Sequence, residues 1–93
     1  MIIGCVLAET SSEETANQCN FLHKYAATNG FKLEIIYKGM SIEELCRNIL
    51  NPQDILIIYD KGCLGNSLSS IRDILHLLAE KSIKLCCAAE DYI

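Results

Sequence analysis

The stretch "IIYDKGCLGNSLSSI", residues 57–71, combines three features that occur together in α/β proteins. An apolar run ends at Tyr59, a segment with two glycines follows, and Ser67 opens an apolar segment with helical spacing. Continuous apolar runs of this length are typical of strands buried on both faces of a sheet, and serine is a preferred residue at helix starts. The stretch therefore predicts a strand, a glycine loop and a helix, an arrangement that often holds binding or catalytic residues.

The rest of the 93-residue chain repeats this alternation. Apolar and β-branched runs predict strands at 2–8, 31–37, 55–59 and 83–89, and helical spacing predicts helices at about 11–29, 41–49 and 67–81. Such a length makes one domain, 1–93, with a single core. The alternating order predicts the α/β class, with a small, mainly parallel four-stranded sheet and helices on its faces.

Capping signals support the predicted helix ends. Thr10 with Glu13, or Ser11 with Glu14, fits a capping box before the first helix, and Ser41 with Glu44 fits one before the second. A glycine, Gly30, is expected to end the first helix. Helical spacing in that helix predicts a core-facing set made of Ala16, Cys19, Leu22, His23 and Ala26.

Composition excludes several classes of function. Hydrophobic residues make up 51% of the chain and its net charge is −4, which favours a folded domain and argues against a stand-alone nucleic-acid binder, because such binders carry a basic face. No apolar run approaches the roughly 20 residues of a membrane span, and the first residues lack the pattern of a signal peptide. We therefore expect a cytoplasmic protein with no membrane partner.

Six cysteines raise the question of metal or disulfide chemistry, but no two of them form a C-x-x-C pair. Most lie in apolar surroundings, where a free cysteine behaves as a small buried hydrophobe. We expect reduced structural thiols, no metal site and no cofactor.

Two segments carry a resemblance to a known family. "IIGCVLAETSSEETANQCNFL", residues 2–22, resembles the G-Y-A-R-V-S-T opening of the catalytic domain of serine site-specific recombinases, the resolvase/invertase family. "DILIIYDKGCLGNSLSSIRDILHLLAEKSIKL", residues 54–85, resembles that family's later G-D-x-L-V-V-x-x-L-D-R-L-G-R-S segment with the helix and strand after it. The positions in register are Gly4, Thr10, Gln18, Asp54, Leu64, Gly65 and Ser67. The resemblance implies a resolvase catalytic-domain-like fold whose first strand lies between the second and the third.

The resemblance also implies a chemistry, DNA strand cleavage in recombination, whose residues this chain does not match. Family members attack a DNA phosphodiester with a serine and hold the phosphate with arginines. Glu9 stands at the nucleophile position and Leu7 at the arginine two residues before it. In the later segment Gly62 replaces an aspartate, and the two arginine positions are Cys63 and Asn66. No catalytic residue is assigned, and the resemblance implies an inactive recombinase homologue that acts by self-association, as a homodimer, or by binding another partner.

Two alternatives stay open. One is an active recombinase fragment with a relocated nucleophile, which would need at least two arginines near Glu9 and Cys63. The other is a flavodoxin-like or receiver-like binding module unrelated to recombination, which we expect the strand order to separate. The family's helix-turn-helix DNA-binding domain has no counterpart in the 93 residues, and DNA is a partner by resemblance alone.

Overall fold

A computed structural model describes residues 1–6, 12–59, 64 and 67–91 of the chain. Its strands are β1 (Ile2–Val6), β2 (Ile35–Lys38), β3 (Ile55–Ile58) and β4 (Lys84–Cys87), and its helices are α1 (Ser12–Thr28), α2 (Ile42–Asn48), α3 (Leu68–Glu80) and α4 (Ala88–Asp91). The four strands form one sheet in the order β2-β1-β3-β4, with every neighbouring pair parallel. The predicted α/β class and the central position of the first strand are both confirmed.

Helices cover both faces of the sheet, as parallel strands require. On one face, α2 and α3 pack on a buried cluster that includes Leu45, Leu56 and Leu78. On the other, α1 and α4 pack on a second cluster that includes Leu22, Ile57 and Ala88. The continuous apolar runs of β1 and β3 thus supply side chains to two cores at once. No helix in the described part of the chain is both long and apolar enough to cross a membrane.

The helix starts that fall within the described residues follow the capping prediction. The Ser41 hydroxyl accepts a hydrogen bond from the Glu44 N–H at 3.2 Å, and the Ser67 hydroxyl accepts one from the Ser70 N–H at the same distance. Each bond satisfies one of the backbone donors that a helix N-terminus leaves open. The caps predicted for the first helix, Thr10 and Ser11, lie outside the described residues.

Two strand boundaries differ from the prediction because backbone groups serve helix ends instead. The second strand begins at Ile35 rather than at residue 31. Gly30 has a φ of +72° and the Phe31 N–H donates to the Ala26 carbonyl at 2.8 Å, which closes α1 and uses a donor that a strand would need. The last strand ends at Cys87 rather than at 89, where the chain turns into α4 and the Ala89 N–H donates to the Tyr59 carbonyl at 2.8 Å.

The buried face of α1 is rotated relative to the predicted one. Leu22 and Ala26 are buried as predicted, whereas Ala16 and His23 are exposed. The helix buries Gln18 and Tyr25 instead. Burial of the large Tyr25 side chain removes more apolar surface from water than burial of Ala16 and His23 would, which favours the observed face.

Candidate functional site at the carboxyl edge of the sheet

The two segments that resemble the recombinase motifs leave the sheet side by side. The central strands β1 and β3 are parallel neighbours, and Cys5 is aligned with Ile58. Val6 and Ile58, the last residues of these strands, are buried. The ends of the two strands therefore lie next to each other at the carboxyl edge, which is where open α/β sheets place their sites.

The positions that correspond to the family's catalytic residues lie outside the described residues. These are Leu7, Glu9, Gly62, Cys63 and Asn66. Their predicted roles stay predictions, and the candidate site is defined by the described residues around it.

Leu64 and Ser67 hold the later segment at two points. Leu64 is buried in the cluster beneath α2 and α3, and Ser67 caps α3. Both were in register with family positions, and both serve to position backbone rather than to do chemistry. Burial of Leu64 and capping by Ser67 attach these two residues to the body of the domain.

Gly4 has a packing role in β1. A Cβ at this position would lie 3.1 Å from Ile36 Cγ1 and 3.1 Å from Leu22 Cδ1. Both distances are shorter than ordinary van der Waals contact between carbon atoms. The glycine therefore lets α1 and the side chains of β2 approach the centre of the sheet closely.

Gln18 is the described polar side chain of most interest near this edge. It is 6% exposed, and its Oε1 has no hydrogen-bond partner among the described residues. Because α1 follows β1, its first half lies toward the carboxyl edge of the sheet. Its spacing of four residues from Leu22 indicates its burial, although the face predicted from helical spacing does not include it.

Asp54 lies at the opposite, amino edge and is structural. Its carboxylate accepts hydrogen bonds from the Asn51 N–H at 2.8 Å and from the Met1 ammonium at 3.0 Å. The bond from the Asn51 backbone holds the pKa of the Asp54 carboxyl below its ordinary value; burial opposes this effect and the ammonium adds to it. The aspartate thus joins the start of β1 to the turn before β3.

Basic side chains are spread over the domain. Arg47 lies near the C-terminal end of α2, where its Nη2 is 2.6 Å from Glu43 Oε1, and Lys81, just after α3, donates to the Cys46 carbonyl. Because α2 and α3 both run from the carboxyl edge to the amino edge, these two cations lie away from the candidate site. Arg72, exposed near the start of α3, is the described arginine nearer to it.

The described cysteines lie in or beside the core, and none of them forms a disulfide. Cys5, Cys46 and Cys86 are buried, and Cys19 and Cys87 are half-buried. Burial raises the pKa of the Cys46 thiol, an effect that the charge of Lys81 partly offsets. Among the residues that the structure describes, no three histidine, cysteine or acidic side chains are grouped as metal ligands would be.

A search of solved structures finds a similar architecture in a known protein. All of the chain superposes on 74% of the crystal structure of a resolvase family site-specific recombinase from Streptococcus pneumoniae, with a TM-score of 0.68 and 13% sequence identity. The domain has a resolvase-like fold. A scan against protein-family models matches none of them, and no curated protein matches the sequence.

The resolvase-like assignment rests on the whole superposition rather than on strand order. From the sequence we expect strand order to exclude a flavodoxin-like or receiver-like module. That expectation was wrong, because flavodoxin-like sheets also place the first strand between the second and the third. At 13% identity the likeness establishes the fold, and the activity of the Streptococcus protein is not transferred by it.

Proposed function

We propose that this resolvase-like domain is a recombinase homologue that does not cleave DNA and that acts in the cytoplasm by binding protein, in the first place a second copy of itself. The observation that carries the proposal is the pairing of a resolvase-like fold with non-matching residues at the family's catalytic positions. Glu9 replaces the nucleophilic serine, and Leu7, Cys63 and Asn66 replace arginines.

The substitutions remove both requirements of the reaction. A serine hydroxyl attacks phosphorus after losing its proton, and the phosphoserine that forms keeps the DNA end. A carboxylate at position 9 carries a charge of the same sign as the phosphate and therefore disfavours its approach. Charge on the phosphate oxygens must also be stabilised by donors that are already in place.

The remaining arginines support the same conclusion. The sequence has two arginines, Arg47 and Arg72. Arg47 is paired with Glu43 near the amino end of the sheet, so Arg72 is the arginine left for the carboxyl edge. A single exposed guanidinium does not replace several that grip a phosphate from different sides.

We expect neither the wild-type protein nor Glu9→Ser to form a covalent link to DNA, because restoring the hydroxyl leaves the arginine positions empty of charge. The measurement is a denaturing gel of each protein after incubation with supercoiled DNA and with a pool of duplexes of randomised sequence. Glu13→Ser, which adds a serine at an exposed position of α1, is the matched control, and an active resolvase with its own site is the positive control.

An adduct formed by the wild-type protein would overturn the proposal. An adduct formed by Glu9→Ser but not by Glu13→Ser would show that the arginines are not needed here, and the loss of activity would then reside in position 9 alone.

Support for self-association comes from apolar side chains at the surface. Ile35 on the edge strand β2 is 45% exposed, and Leu68 at the start of α3 is 84% exposed. Single exposed apolar residues are ordinary in monomers. An edge strand such as β2, which adds the exposed Ile35 to backbone groups without a strand partner, is a template for pairing with another chain.

A further inference from the structure

We draw no further inference here: the strongest candidate, the open apolar groove that Leu68, Ile71 and Leu75 line on the outer face of α3, carries nothing because nothing in the described part of the chain shows what covers it.

Discussion

Leu45→Ala is expected to lower the free energy of unfolding by about 2–5 kcal/mol. Leu45 is fully buried on α2, within the cluster that joins α2 and α3 to the sheet. Its truncation removes the transfer free energy of the lost methyl groups and leaves a cavity that the surrounding side chains fill only in part. Urea unfolding at pH 7, followed by circular dichroism, measures the change.

Leu68→Ala is the matched control, since the same atoms are removed from a side chain that is 84% exposed. We expect its free energy of unfolding to stay within about 0.5 kcal/mol of the wild type. Equal losses in the two variants would contradict the placement of the core beneath α2.

Asp54→Ala is expected to cost roughly 1–3 kcal/mol of stability at pH 7, because it leaves a partly buried backbone donor without its acceptor. Asp54 is 7% exposed and accepts from the Asn51 N–H and the Met1 ammonium. The measurement is the difference between wild type and variant in urea unfolding. Asp73→Ala, at an exposed position of α3, is the control and should change little.

The effect of Asp54 should depend on pH in one direction. Its pKa is lowered in the folded state, so its contribution is fully present above the unfolded-state value of about 3.9 and is lost as pH falls through the lower folded-state value. The gap between wild type and Asp54→Ala should therefore be constant from pH 7 to 5 and narrow at lower pH. A gap that stays the same at pH 3 or below would show that the carboxylate charge is not what stabilises the turn.

Most of the fold could be predicted from sequence because its signals are local. Apolar runs marked the strands, Ser41 and Ser67 marked helix starts through capping chemistry, and Gly30 marked a helix end. Alternation of strands and helices then left a parallel sheet as the natural arrangement. These features depend on residues that are close to one another in the chain, so they can be inferred from sequence patterns.

The parts that were missed depend on tertiary packing. Periodicity alone placed Ala16 and His23 on the buried face of α1, whereas the folded helix buries Gln18 and Tyr25 beside the predicted Leu22 and Ala26. The Phe31 N–H bonds to the end of α1, so β2 begins later than predicted. Residue propensities do not reveal a bond of this kind.

The candidate site was located only by resemblance and by topology. Parallel strand order explains why the carboxyl ends of β1 and β3 lie side by side, whereas the roles of the family's catalytic positions stay predictions. Burial of Gln18 beside this edge could have been read from its spacing to Leu22. Its lack of a partner among the described residues could not, because hydrogen bonding across a fold is not a property of sequence pattern.

Affinity for DNA tests most directly the central claim, that a resolvase-like domain works here through protein association and not on DNA. The measurement is fluorescence anisotropy of a labelled duplex titrated with the protein at several salt concentrations. Because the net charge is −4 and non-specific binding depends on contacts from cations to phosphates, the account predicts no binding up to about 10⁻⁴ M at physiological salt. Binding tighter than about 10⁻⁵ M, weakening as salt is added, would contradict it.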